Sequence, residues 1–397
     1  MKLKPYYPYN PIASIEALAA TLGVHEKILL ELANKVEDSY THFDIQNKNS
    51  KGEVKDRTVC EPKFWLKKLQ KRINSRIFEK VEFPDYLQGG IKDVTNPRDY
   101  VANAQIHSHA NQIICIDIKK FYPNIKAKYV KKVFQHFFKF PENVSEILTK
   151  LVTYNDVVPQ GGCCSSYIAN LIFFENEYRL VSFFQSQNIK YSRLLDDITI
   201  SSDMIFSNEK SLLYIKKISG LFNKYELKIH NGKTKIEHRS NPNVDFEVTG
   251  LWIGQKQPKA RKEERRFIRQ LVYMCEQEYK ENKFSEKYHT RWNEASGKVA
   301  KLQRLGHKQA KKFRQRLSLI LPLYDDAMEM KLVHETKKLI NIPSAQIKRP
   351  INVNRVNVLL NKLGILSRSN KALAKSLRIQ INDKYVGLPS KSEIWEY

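Results

Sequence analysis

The segment Tyr191-Ser192-Arg193-Leu194-Leu195-Asp196-Asp197-Ile198-Thr199-Ile200 sets two adjacent carboxylates between apolar and β-branched flanks. Such a pattern predicts strand–turn–strand with the acids at the tip. Two carboxylates about 4 Å apart repel by roughly 4 kcal/mol at an effective dielectric near 20. A chain that keeps them between apolar strands calls for a cation. Asp-Asp also occurs in ordinary turns, so the pair alone leaves both readings open. A second segment weighs on the choice. Gln112-Ile113-Ile114-Cys115-Ile116-Asp117-Ile118 is a short, bounded apolar run with one carboxylate inside it, the pattern of a buried strand. A buried carboxylate is costly unless it is paired or sits on a metal. Asp117, Asp196 and Asp197 converging from neighbouring strands would offer hard oxygen ligands of the kind Mg²⁺ takes. Two such ions about 3.5–4 Å apart clamp the attacking and leaving oxygens of an in-line phosphoryl displacement. That chemistry is nucleotidyl transfer.

Charge points the same way. The 397 residues carry 68 Lys and Arg against 42 Asp and Glu, a formal net charge of +26. Such an excess, spread along the chain, implies a polyanionic partner. A hydrophobic fraction of 42% is ordinary for a globular protein, and the length allows two or three subdomains. Cys60, Cys115, Cys163, Cys164 and Cys275 form no C-x-x-C pair, so no zinc site is expected and reduced thiols in a cytoplasm fit best. The N-terminus lacks an apolar signal core, and no apolar run approaches a membrane span.

Along the chain, residues 11–36 read as a helical lead-in. Residues 44–56 are polar and carry the turn signal Lys51-Gly52, and Arg57–Pro62 reads as a short strand. Trp65, Leu69, Ile73 and Ile77 recur every four residues, which predicts an amphipathic helix over 63–80 with Lys67, Lys68, Lys71 and Arg72 on its outer face. Val130, Val133, Phe134, Phe137 and Phe138 mark another helix with an aromatic core stripe. A Gly-rich stretch, Val158–Ser166, precedes an apolar helix through Phe174. A helix over 209–225 follows the acidic hairpin, and strands flank Val248–Leu251. The order is mixed α+β with local hairpins. From 255 to 317 basic residues outnumber acidic ones 19 to 7, which suggests a basic helical subdomain on a phosphate backbone. Residues 343–352 read as a linker.

Together these pieces resemble reverse transcriptases, specifically the bacterial retron-type and related defence-associated enzymes. The resemblance runs from about residue 15 to about residue 320. Asp117-Ile118-Lys119-Lys120-Phe121-Tyr122-Pro123-Asn124-Ile125 is similar to the first palm motif. Pro159-Gln160-Gly161 through Ser165, ending at Ala169-Asn170-Leu171, resembles the motif that cradles nucleotide and template. Leu194-Leu195-Asp196-Asp197 takes the place of Tyr-x-Asp-Asp, and Lys233-Thr234 resembles the motif after the palm helix. Asn103-Ala104-Gln105-Ile106-His107 and Val248-Thr249-Gly250 match two short motifs associated with retron enzymes. Leu194, Leu195, Cys163 and Ser166 depart from the family pattern.

The resemblance implies a right-hand polymerase fold: fingers at 1–100, palm at 101–254 with interleaved finger elements, basic helical thumb at 255–342, and an extension at 343–397. It implies RNA-templated DNA synthesis on two Mg²⁺ ions held at Asp117, Ile118, Asp196 and Asp197. Deoxynucleotides would meet Arg57, Tyr122, Gln160 and Gly161, with Tyr122 as a gate against the ribose 2′-OH. Lys55 is a further phosphate candidate, and Lys233 a general acid for pyrophosphate. Lys67, Lys71, Arg72, Arg261, Lys262, Arg265, Arg266, Lys311, Lys312 and Arg314 would meet nucleic acid. His107 has both a structural and a functional reading. The partners implied are a non-coding RNA template, its DNA product, and an effector protein or a second copy, in a cytoplasmic antiphage system. Two other readings remain at this point: an untemplated or protein-primed DNA polymerase, and a non-catalytic RNA-binding scaffold.

Overall fold

The apolar run that ends in Asp117 becomes an interior strand of a five-stranded sheet, buried along nearly its whole length. The computed structural model describes residues 3–48, 54–242, 244–390 and 393–395. They divide into two units, Met1–Pro258 and Lys259–Tyr397.

In the first unit, α1 (Ile15–Leu22) and α2 (Glu26–Asn34) form the expected lead-in. Then β1 (Tyr40–Lys48) pairs antiparallel with β2 (Val54–Pro62). Only β2 shows in the sequence pattern. Residues 41–46 of β1 are all exposed, so no alternation of buried and exposed residues marks the strand. The Lys51-Gly52 turn lies outside the described residues.

Helix α3 (Phe64–Arg76) corrects two expectations. Trp65 is 63% exposed, and the buried stripe runs through Leu66, Leu69, Ile73 and Ile77 instead. Arg72 is not on the outer face. It is buried, and its Nη1 donates to the carbonyls of Leu22 at 3.0 Å and Gly23 at 2.8 Å. Those carbonyls end α1 and have no partner within their own helix, so the guanidinium satisfies them. Lys67 pairs with Glu61 at 2.5 Å, and Lys71 is exposed.

Next come β3 (Leu87–Gln88), α4 (Tyr100–Ile106), β4 (Gln112–Asp117), α5 (Phe121–Asn124) and α6 (Ala127–Lys132). A wide helical turn, Val133–Phe137, extends α6 and buries Val133 and Phe134, with Phe138 just beyond it in the core. Then follow α7 (Glu142–Val152), α8 (Ser165–Leu171), α9 (Glu177–Gln185), β5 (Lys190–Leu194), β6 (Asp197–Ser202), α10 (Asn208–Asn223) and β7 (Lys235–His238). The small hairpin of β8 (Glu247–Val248) and β9 (Leu251–Trp252) comes last. The sheet order is β3-β5-β6-β4-β7. One continuous core, from Leu18 to Leu227, lies against it.

In the second unit α11 (Lys262–Asn282), α12 (Glu286–Arg304) and α13 (Ala310–Leu319) share a core of Ile268, Val272, Tyr288, Val299, Leu302 and Leu317. A second core joins α14 (Asp326–Ile340), α15 (Ser344–Ile347), α16 (Pro350–Leu366) and α17 (Lys371–Lys384) through Leu332, Val356, Leu363 and Ile381. The linker expected at 343–352 is therefore largely helical. Pro343 immediately precedes α15, and Pro350 is the first residue of α16, positions where a missing N–H costs nothing. Among the described residues, no helix is long and apolar enough to cross a membrane.

A polar chain fixes α4 to the sheet. Ser192 Oγ donates to Asn103 Oδ1 at 2.6 Å and accepts from His107 Nε2 at 2.7 Å. Ser201 Oγ then donates to His107 Nδ1 at 2.7 Å. The network assigns this neutral tautomer. Burial, with a smaller push from Lys190, lowers the His107 pKa to about 3. Between there and its ordinary value near 6.5 the unfolded chain binds a proton that the folded chain refuses. The stability due to neutral His107 is thus complete above about pH 6.5 and drains away as pH falls toward 3. His107→Gln should cost about 1–3 kcal/mol at pH 7.5 and flatten the decline between pH 6.5 and 4. Urea unfolding across that range checks both, and an unchanged acid slope would remove His107 as its cause.

Candidate active site

Pairing geometry gathers the three aspartates. Asp117, the last residue of β4, lies opposite Asp197, the first residue of β6. Leu194 of β5 pairs with Asp197 across the hairpin, so Leu195 and Asp196 form a two-residue turn. The Asp196 carbonyl accepts from Ile118 N at 3.0 Å, which ties the turn to the end of β4. Ile118 is otherwise a core side chain, 1% exposed.

Leu195 has φ +59, at a turn position where glycine is favoured. Such a conformation costs on the order of 1–3 kcal/mol unless its surroundings hold it. What holds it is Arg193, at 0% exposure the most deeply buried large side chain of the hairpin. Its Nη1 donates to the Leu195 carbonyl at 3.2 Å and to Ala169 O at 3.0 Å, and Nη2 donates to Asn170 O at 3.1 Å. Buried Glu177 meets the same guanidinium in two parallel contacts, Nε–Oε1 2.6 Å and Nη2–Oε2 2.9 Å. Tyr191 Oη also donates to Glu177, at 2.8 Å. On the other side sit Gly89 and Gly90, both at positive φ. A Cβ on Gly89 would lie 2.7 Å from Leu194 Cδ1, and one on Gly90 would lie 2.5 Å from Ser166 Cβ. These supports were not singled out from the sequence. The signal was there: an arginine inside an apolar strand carries the same burial cost that flagged Asp117.

Electrostatics follow from the crowding. Burial first, then repulsion from Asp196 and Asp117, pushes the Asp197 carboxyl up to about 7, with Lys233 pulling the other way. Lys233 Nζ meets Asp117 Oδ2 at 2.7 Å, and the Asp117 carbonyl accepts from His230 N at 2.7 Å. Among the described residues, no three His, Cys, Asp or Glu side chains form a ready metal-binding group. The donor set nevertheless fits a hard divalent ion. It is all oxygen, it carries excess negative charge, and Mg²⁺ commonly takes one or two carboxylates and completes its shell with water and substrate phosphates.

The other expected positions are distributed as follows. Tyr122 packs beside the core, with Oη 3.5 Å from Ser166 Oγ and its pKa raised chiefly by burial. The Gln160 carbonyl accepts from Cys60 N at 2.8 Å. Gly161, at φ +113, lies so close to β2 that a Cβ would meet Val59 Cγ1 at 2.7 Å and Cys60 O at 2.9 Å. The close approach required of this glycine is therefore to β2. Arg57 pairs with Ile45 in the β1–β2 ladder; its side chain, like that of Lys55, lies outside the described residues. In the second unit Arg261, Lys262, Arg266, Lys311 and Lys312 are exposed and Arg265 is half-buried. Arg314 instead bridges helices, donating to Ser296 Oγ at 2.8 Å and Ser296 O at 3.1 Å. The two short motifs meet at α4, where Thr249 Oγ1 donates to Tyr100 O at 3.0 Å.

The family model for reverse transcriptase (RNA-dependent DNA polymerase) matches residues 45–281, which include the whole acidic hairpin. The chain belongs to the reverse transcriptases. It is 43% identical over 378 residues to the Retron Se72 reverse transcriptase of Salmonella heidelberg (strain 579083-10), covering 94% of this chain and 97% of that protein. It is 33% identical to the Retron Ec48 reverse transcriptase of Escherichia coli, covering 81% of this chain and 80% of that protein. The Retron Ec86 reverse transcriptase of Escherichia coli is 30% identical over 59% of this chain and 69% of its own length. A solved telomerase from Candida albicans in complex with a telomeric RNA fragment aligns at TM-score 0.40, with 11% identity over 94% of this chain and 68% of that one. The enzyme is thus a retron-type RNA-directed DNA polymerase with an RNA template and a DNA product.

Arg193 gives this reverse transcriptase a stability signature. Arg193→Met leaves the Glu177 charge buried without its partner and should cost about 3–5 kcal/mol, whereas Arg193→Met with Glu177→Met should recover much of that loss. Urea unfolding of the two single variants and the double variant measures the coupling. Additive effects would show that the two side chains do not act as a pair.

Proposed function

We propose that this reverse transcriptase copies a dedicated non-coding RNA into DNA, using two Mg²⁺ ions at the Asp117–Asp197 hairpin, within a bacterial antiphage defence system. The observation that carries the reading is the pairing of Asp117 with Asp197 across β4 and β6, with Asp196 in the turn between β5 and β6. The names of its relatives support the retron setting. The net charge of +26 suits RNA as the partner.

Asp117 and Asp196 would hold both ions, and Asp197, with its raised pKa, would be the weaker ligand beside Ile118. When bound, the ions supply positive charge at the attacking and leaving oxygens of an in-line displacement. The protein's own groups do the rest. The primer 3′-OH attacks the α-phosphate, and pyrophosphate leaves. Lys233 competes with cations for Asp117 Oδ2. Once exchanged from it, the ammonium is available to the departing pyrophosphate as a charge or a proton donor. Tyr122 would bar a ribose 2′-OH, and Gln160, Gly161 and Arg57 would bind the incoming nucleotide. Residues 1–100 would serve as fingers, 101–254 as palm and 255–342 as a basic thumb. Exposed Arg261, Lys262, Arg266, Lys311 and Lys312 of that thumb, with Arg265, would neutralise phosphates. All five cysteines are free thiols, which fits a reducing cytoplasm. An effector protein or a second copy would complete the system.

Asp117→Asn, or Asp196→Asn with Asp197→Asn, should reduce magnesium-dependent nucleotide incorporation to background while RNA affinity stays within about threefold, under 0.7 kcal/mol. Wild-type incorporation by the double variant would end the catalytic reading. Sequencing the copurified nucleic acid tests the template: retention of one RNA species joined to its DNA copy is expected, and DNA with no RNA complement would favour untemplated synthesis.

For sugar selection, Tyr122→Val should raise the ratio of ribonucleotide to deoxyribonucleotide incorporation by at least about tenfold, near 1.4 kcal/mol. Competition assays read the ratio directly, and no change would reduce Tyr122 to a packing residue.

A further inference from the structure

Away from the acidic hairpin, the first unit contains an open cavity of about 1030 Å³. None of the aspartates lines it. One wall is the N-terminal segment Lys4-Pro5-Tyr6-Tyr7-Pro8-Tyr9-Asn10-Pro11, and the other comes from residues 136–139, 174–176, 178 and 179. The N-terminal wall is pre-organised. Three prolines fix its φ angles. Tyr6 and Glu82 exchange backbone hydrogen bonds of 3.0 and 2.8 Å, and the Tyr7 ring packs edge-on to Phe138 at 4.9 Å. Tyr6 and Tyr9 are nevertheless more than half exposed, at 52% and 57%. A rigid wall that shows aromatic rings to solvent has already lost the entropy that a binding site must lose.

Cations from both walls line the cavity. Lys4 Nζ stands 4.1 Å from the centre of the Tyr178 ring, and Arg179 Nε donates to Tyr178 Oη at 3.0 Å. The hydrogen bonds from Arg179 and then Lys4 hold the Tyr178 phenol below its ordinary pKa, as a locally positive site requires. Lys139 adds a third cation to the lining, against one carboxylate, Glu175. Interleaved aromatic faces and cations are how proteins hold unpaired nucleotides: bases stack on the rings and phosphates meet the charges.

We propose that this cavity is an accessory site for an unpaired segment of RNA, separate from the catalytic hairpin. Its phosphates lie on Lys4, Lys139 and Arg179, and its bases stack on Tyr9 and Tyr178. RNA suits the site better than DNA because the lining also presents acceptors. Asn176 uses its Nδ2 to donate to Tyr225 Oη at 2.9 Å, which keeps its Oδ1 for accepting, and the Glu175 carboxylate lies beside it. A ribose 2′-OH donates to such groups, and deoxyribose has nothing to offer them. The site gives the enzyme a second hold on its RNA and leaves template and primer in the cleft undisturbed.

The test uses the full chain with saturating unlabelled primer–template, so that the cleft is filled. A fluorescent ten-nucleotide unstructured RNA carrying 4-thiouridine is the probe. Photocrosslinking should map to Tyr9 or Tyr178 or their immediate neighbours. Lys4→Gln with Lys139→Gln and Arg179→Gln should weaken probe binding at least tenfold. It should also lower the slope of log affinity against log salt by about 2, near 0.7 for each single-strand phosphate contact. Tyr9→Ala, an exposed change, should weaken binding with the slope unchanged. Primer extension on a short template should keep its wild-type rate in every variant. Crosslinks confined to other surfaces, or equal affinity and slope in the triple variant, would overturn the site. Equal affinity for the deoxyribose probe would overturn its assignment to RNA. Absence of primer extension by the unmodified chain, with probe binding present and weakened in the triple variant, would count against the catalytic assignments and leave this site standing.

Discussion

The acidic hairpin depends on one buried ion pair. Arg193 and Glu177 are both removed from water, and an ion pair in that position seldom adds net stability over apolar residues of similar volume. Its value here is geometric. Five donor groups on one rigid plane reach the Leu195 carbonyl, the carbonyls of Ala169 and Asn170, and both oxygens of Glu177. Those contacts join α8, α9 and the turn that carries Asp196. A lysine has one nitrogen and could not make them together. The turn can therefore keep Leu195 in a left-handed conformation that the leucine itself resists.

Rigid support matters because the acids it holds oppose one another. Burial and two like charges push the Asp197 carboxyl up to about 7. A fold optimised for stability alone would replace one of the three carboxylates. Keeping all three costs stability at the hairpin, a trade common where residues are kept for function. Lys233 on Asp117 offsets part of the repulsion. Being half exposed on a flexible stem, it can be exchanged without disturbing the core.

How legible this was in the sequence depended on whether each residue obeyed a burial pattern. The strand Gln112–Asp117 and the hairpin around Asp196 were legible because their apolar residues face the interior, while the right-hand fold came from the resemblance of the whole set of motifs. β1 was not, since its residues 41–46 are all exposed and its order comes from pairing with β2. Trp65 and Arg72 exchanged expected places for a related reason. Periodicity ranks residues by polarity, whereas Arg72 is buried through hydrogen bonds to the end of α1, and such a contact over 49 residues leaves no local trace. Prolines at 343 and 350 looked like a linker because proline marks helix starts as readily as helix ends. Within the site, the three aspartates were found by asking what a buried charge needs. The same question put to Arg193 would have found its support.

The leucines at the hairpin tip show how a departure from the family pattern is accommodated. Leu194 lies against Gly89, and Ser166 with Leu195 against Gly90, so closely that neither glycine could carry a side chain without displacing its neighbours. An apolar contact thus bounds the turn on one face and the Arg193 network bounds it on the other. The contact needs only shape and apolar surface on the hairpin side, which leucine supplies without a phenol. What it cannot relax is the glycine side, where backbone and side chain already touch. The absence of Cβ atoms at 89 and 90 therefore leaves room for the leucines at the tip of the hairpin that carries Asp196.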